Sequence, residues 1–131
     1  MKNILLYLTM NLQNLFLLLF NILLIVLGQT LIKQGVNKIG DFASMPFWDF
    51  LVKSFTSLLI VSGILLYVIS TILWLMLLSR VNLSVAYPIL SLSYLLIFFI
   101  SWFYLKEPVN TYQFIGVLLI IGGIYLILTK I

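Results

Sequence analysis

The chain has 131 residues, of which 64% are hydrophobic and 8% charged, with a net charge of +4 and a mean hydropathy of +1.28. A soluble domain carries about 25% charged residues, so the solvent of this protein is a bilayer. With no cysteine and no histidine, no Gly-rich phosphate loop after a strand, and basic residues that never cluster, the sequence points away from an enzyme, a bound cofactor or metal, and a nucleic-acid partner.

Four uncharged stretches, residues 15–32, 55–78, 83–105 and 112–129, are each near the length of about 20 residues that crosses about 30 Å of hydrocarbon as a helix. They are too continuous for the alternation of a membrane barrel, and a lipid-embedded backbone must satisfy itself. The expected fold is all-α: a single integral membrane domain over residues 1–131 built as a bundle of four transmembrane helices. The apolar run begins earlier, at Ile4. Lys2 is the only charge ahead of it, no A-x-A site follows, and Asn11, Gln13 and Asn14 interrupt it. Residues 1–14 are therefore read as an interfacial or helix-extending lead-in rather than a signal peptide.

In the first helix Asn21, Ile25, Gln29 and Lys33 recur at intervals of four, while Asn14, Asn21 and Gly28 recur at seven. A buried Asn or Gln is costly in lipid, which turns this face toward the bundle. Lys33 has two readings: a side chain snorkelling to the interface, or a cation at the mouth of a polar cleft. The connection over residues 33–54 mixes Lys38, Asp41 and Asp49 with Phe42, Phe47, Trp48 and Phe50, a composition suited to the headgroup layer. In the second helix Gly63, Tyr67, Ser70 or Thr71, and Trp74 fall at helical spacing.

The turns at residues 79–82 and 106–111 are short enough to make the second, third and fourth helices antiparallel neighbours. In the third helix "AYPILSLSY" places Ser84, Tyr87, Ser91 and Tyr94 on one stripe, with Ser101 further along it. Pro88 lacks an amide donor and clashes with the Ser84 carbonyl, bending the helix on the same side. Single serines often serve only to hold helices together; the stripe and its proline together are read as the lining of a cavity, with Ser93 off the main line. On the fourth helix Gly116 and Gly123 share a face, with Gly122 adjoining, and are expected to pack against a dimer partner. Glu107 and Pro108 are read as fixing the turn that precedes this helix.

Positive charges divide almost evenly: Lys2, Arg80 and Lys130 on one side, Lys33, Lys38, Lys53 and Lys106 on the other. The positive-inside rule cannot choose on this difference, which permits insertion both ways and an antiparallel pair. The only acids, Asp41, Asp49 and Glu107, fall outside the expected spans. Exchange of a proton for a cationic drug needs a carboxylate within the membrane. The positive charges near the spans suit an anionic headgroup such as phosphate instead.

"GQTLIKQG" (residues 28–35), "AYPILSLSY" (86–94), "LKEPVN" (105–110) and "GVLLIIGGI" (116–124) resemble the four-helix branch of the drug/metabolite transporter superfamily. The resemblance is strongest to the paired subunits that flip undecaprenyl-phosphate-linked aminoarabinose. It implies a bacterial inner-membrane flippase subunit, paired as a homodimer or with a related chain. Small multidrug resistance proteins look similar in topology and act as antiparallel dimers, but their first-helix glutamate would fall at Ile25, and their third-helix aromatic and glycines are replaced at Leu90 and Leu92.

The expected function is translocation of a polyprenyl-phosphate-linked sugar or related lipid. Lys33 and Gln29 would attract the phosphate. Asn21, Tyr67, Trp74, Tyr87, Ser91, Ser93 and Tyr94 would line the sugar path, with Pro88 as hinge. Export of a small molecule or drug, and a non-transporting scaffold, are the alternatives.

Overall fold

The computed structural model describes residues 12–129, and among these all regular structure is helical. Helix α1 spans Leu12–Ile39, α2 Phe47–Thr56, α3 Leu58–Leu78, α4 Leu83–Leu90, α5 Leu92–Phe103 and α6 Thr111–Thr129, with a 3-10 turn at Phe42–Ser44. Three stretches are long and apolar enough to cross a bilayer, Leu12–Ser44, Leu58–Leu78 and Leu83–Phe103, and α6 is apolar over Thr111–Leu126. The lead-in over residues 1–11 lies outside the described residues.

Helix α1 has 28 residues, about 42 Å at 1.5 Å per residue, well over the hydrocarbon thickness. The helix therefore continues past the expected end at residue 32 and carries Lys33 and Lys38 on its last turns. It stops at Gly40, whose φ of 100° belongs to the left-handed region and whose amide donates to the Val36 carbonyl at 3.1 Å. Asp41 then caps the 3-10 turn by accepting from the Ala43 amide at 3.1 Å.

What reads as a long connection in sequence is thus largely helical. In α2, Phe47, Trp48, Val52 and Phe55 form an exposed apolar face. Asp49, Lys53 and Thr56 run beside it, and Phe50 turns inward to meet the Phe42 ring at 5.3 Å between centroids. An amphipathic helix with aromatics on one side and charges on the other is the form that suits the headgroup layer.

The core is small. Leu18, Ile22 and Val26 of α1 meet Leu77 of α3 and Ala86 and Ile89 of α4. The dominant partner of α1 is α3, and glycine makes that approach possible. A Cβ added to Gly63 would lie 2.7 Å from the Gly28 carbonyl oxygen, and one added to Gly28 would lie 3.0 Å from the Gly63 carbonyl oxygen. In lipid, where apolar surfaces gain little by leaving the solvent, such backbone proximity is what holds helices together.

Helix α6, by contrast, reaches the bundle through Phe114, edge-on to Phe98 and Trp102 at 5.3 and 5.0 Å. A Cβ added to Gly116, Gly122 or Gly123 would meet nothing within 4 Å. Within one chain the close-packing glycines are those of α1 and α3, and the glycine face of α6 is open.

Between α4 and α5 the helix is interrupted at Ser91, one turn after Pro88. Proline supplies no amide for the Ser84 carbonyl. Ser91 then bridges the gap, its amide donating to the Tyr87 carbonyl at 3.0 Å and its hydroxyl donating to the Pro88 carbonyl.

Candidate functional site

Two cavities follow one face of α1. The first, of about 180 Å³, lies between α1, α3 and α4 and is lined by Asn21, Ile25, Tyr67, Ser70, Trp74 and Tyr87 among others. Its wall is aromatic, with Trp74 and Tyr87 packed edge to face at 5.5 Å. Its floor is polar: the Ser70 hydroxyl donates to Asn21 Oδ1 at 2.8 Å, with both residues buried. Asn21 Nδ2 is buried with no protein partner. An unsatisfied donor of this kind costs about 1–3 kcal/mol, a cost that an acceptor arriving from outside the chain would remove.

The second cavity, of about 200 Å³, lies toward the α2 end and is lined by Gln29, Thr30, Lys33, Ser101 and Glu107 with apolar neighbours. Gln29 also donates to the hydroxyl of Tyr67, so one hydrogen bond links the linings of the two cavities. Lys33 Nζ lies 3.0 Å from the Glu107 carboxylate, which also accepts from the Ser101 hydroxyl. These two partners, Ser101 first and then Lys33, hold the Glu107 carboxyl below the ordinary carboxylate range.

The backbone places Glu107. Lys106 adopts a left-handed φ of 56°, and the Glu107 amide donates to the Ser101 carbonyl at 3.0 Å. The bond reaches six residues back, one further than the closure of a Schellman cap, and lysine takes the left-handed conformation that glycine usually supplies. Pro108 then prevents the helix from resuming. The same residue that shapes the turn therefore also supplies a counter-ion to α1.

The structure gathers Asn21, Tyr67, Trp74 and Tyr87 around the first cavity, and Gln29 and Lys33 around the second. Ser91, Ser93 and Tyr94 line neither. Ser91 spends its hydroxyl on the Pro88 carbonyl, Ser93 is buried, and Tyr94 is exposed. A stripe counted over residues 84–94 presumes one continuous helix, and the interruption at Ser91 breaks its phase. The pairing of Lys33 with Glu107 and Ser101 carries no periodic signal, because its members lie on different elements. Among the described residues no carboxylate cluster is arranged to hold a metal.

The model of the EamA-like transporter family matches residues 39–129. The chain is 31% identical over 137 aligned residues to a probable 4-amino-4-deoxy-L-arabinose-phosphoundecaprenol flippase subunit ArnF of Shewanella sediminis, covering 95% of this chain and 93% of that one. It is 32% identical to the probable flippase subunit ArnE of Proteus mirabilis, over 85% of this chain and 93% of the relative. Over a shorter region, 43% of this chain and 49% of the relative, identity to the ArnE subunit of Pseudomonas fluorescens reaches 48%. No solved structure matches.

Proposed function

The chain belongs to the EamA-like transporter family, and from this membership we propose that it is a flippase subunit that moves a polyprenyl-phosphate-linked sugar across the bacterial inner membrane. The observation that carries this reading is the polar lane along α1. It has a cation, Lys33, at the headgroup end and an uncharged, aromatic-walled cavity between the helices. The phosphate engages Lys33 and Gln29, the sugar passes against Trp74, Tyr87 and the Asn21–Ser70 pair, and the isoprenoid chain stays in lipid, which spares the protein the cost of burying it. Aromatic faces and neutral hydrogen-bonding groups are the chemistry that recognises a sugar without holding it too tightly.

Similarity to both ArnE and ArnF subunits over most of the chain supports a paired arrangement. In this reading the protein works as a dimer, with a second copy or a related chain, and the open glycine face of α6 is the packing surface. Ile25 lines the inner cavity where a proton-coupled drug exporter of similar topology would carry a carboxylate, so the lining of that cavity lacks the group for proton exchange.

The test is reconstitution in liposomes, alone and with a related subunit, using a fluorescent polyprenyl-phosphate sugar. Translocation should proceed without an imposed pH gradient. Strict dependence on that gradient, or failure in both arrangements with correctly inserted protein, would reject the reading.

A further inference from the structure

The cavity at the headgroup end of α1 already contains an anion, and it is one of the chain's own. The Glu107 carboxylate takes a charge-assisted contact from Lys33 at 3.0 Å and a hydrogen bond from the Ser101 hydroxyl, with Gln29 and Thr30 on the same rim. One ammonium and one hydroxyl converging on a carboxylate are also the donors that a phosphate oxygen requires. The space of about 200 Å³ beside them exceeds what the carboxylate fills.

Burial does not fix the carboxylate in this position. The Lys33 side chain is 49% exposed and that of Glu107 35%, and an exposed ion pair contributes only about 0–1 kcal/mol. The backbone, by contrast, is held firmly by the Glu107 amide on the Ser101 carbonyl and by the left-handed Lys106. The Glu107 side chain can therefore leave Lys33 without the loop unwinding, and it remains tethered close enough to return.

We propose that this cavity is an exchangeable site for a phosphate group, in which Glu107 is the resident competitor that holds Lys33 and Ser101 until phosphate displaces it. The proposal rests on the flippase reading and deepens it by assigning recognition of the substrate's phosphate to Lys33 of α1 and Ser101 of α5. It also accounts for release: a fixed cation with no competitor would retain the anion, whereas a tethered carboxylate recaptures Lys33 as the phosphate leaves. A transport site must bind well enough to load and weakly enough to unload.

The test measures binding to the full chain in lipid nanodiscs, with undecaprenyl phosphate and inorganic phosphate as separate ligands. Glu107→Gln should bind its phosphate ligand about fivefold more tightly, the equivalent of losing a competitor worth about 1 kcal/mol. Glu107→Asp keeps the charge and the turn but falls one methylene short of Lys33, and it should tighten binding as well. Lys33→Gln should weaken binding, and Lys33→Gln combined with Glu107→Gln should be no tighter than Lys33→Gln alone, because the competitor acts through that cation. Binding of undecaprenyl phosphate that inorganic phosphate does not displace assigns the site to a lipid headgroup, and displacement by inorganic phosphate assigns it to free phosphate; with either ligand, tighter binding by Glu107→Gln supports the exchange. Wild-type binding that none of these substitutions changes overturns the exchange and leaves the flippase reading standing. A well-folded wild type and Glu107→Gln that both fail to bind either ligand overturn both.

Discussion

Gln29 on α1 donates a hydrogen bond to the hydroxyl of Tyr67 on α3, and each residue faces a different cavity of the same lane. The bond is thus a partition between the charged end of the lane and its aromatic interior. Tyr67→Phe keeps the ring and its packing and removes only the acceptor. Stability should change by no more than about 1.5 kcal/mol, while flipping in proteoliposomes should fall about tenfold, the equivalent of one lost hydrogen bond of about 1.4 kcal/mol to the passing headgroup. Wild-type flipping by Tyr67→Phe would remove this tyrosine from the path.

Asn21 is kept at a cost to stability, since its amide nitrogen is buried without a partner. Replacing both members of the polar pair, as Asn21→Leu with Ser70→Ala, should raise stability by about 1–2 kcal/mol, because apolar groups fill the site with nothing left unpaired. Flipping by the same variant should drop at least about tenfold if the amide meets the sugar. Thermal unfolding in detergent and the liposome assay read the two effects separately.

The Glu107 carboxyl is held below its ordinary value of 4.5 by Ser101 and Lys33. A depressed folded-state pKa gives stabilisation that is complete above the unfolded value and is lost as pH falls through the folded one. Wild-type melting temperature should therefore be insensitive to this group near neutrality and decline on acidification below about 4.5. In Glu107→Gln that part of the decline should be absent. Parallel curves for the two proteins across the acid range would show that the pair does not contribute.

The two glycine sets should respond differently to substitution. Gly63→Val drives side-chain atoms into the Gly28 backbone and should destabilise the folded chain by about 3 kcal/mol or more, as forced overpacking does. Gly123→Ala meets nothing within the chain and should leave folding intact while weakening dimer formation, measured as subunit exchange between labelled copies in bicelles. Unchanged exchange would move the dimer surface elsewhere.

Pro88→Ala restores the amide that the Ser84 carbonyl lacks and should let α4 and α5 join. The helix should gain stability, up to about 3 kcal/mol, the cost of an interior proline. Flipping should fall if the break is needed for the cleft to change shape, and amide exchange at residues 88–92 should slow.

Much of the architecture is legible in the sequence because charge is excluded from hydrocarbon. The positions of Arg80 and of the Lys106–Glu107 pair alone bracket α4 and α5, and Pro88 announces the interruption at Ser91. The α1 face is legible too, since Asn21, Gln29 and Lys33 repeat with the helix. Other features escape because they arise between elements. Lys33 meets Glu107 only because α5 ends beside α1, and Gly28 meets Gly63 only because those two helices pack. The end of α1 is misjudged for a different reason: Lys33 marks where the hydrocarbon ends, but nothing before Gly40 stops the helix itself.

Helix α2 joins the ends of α1 and α3, and its exposed aromatic flank beside Asp49 and Lys53 suits it to the membrane surface. Its exposed aromatic flank makes it costly to lift this end of the bundle into water or push it into the oily layer, so the depth of Lys33 is set like a hull at its waterline. At the opposite end the described residues close in the short turn around Arg80.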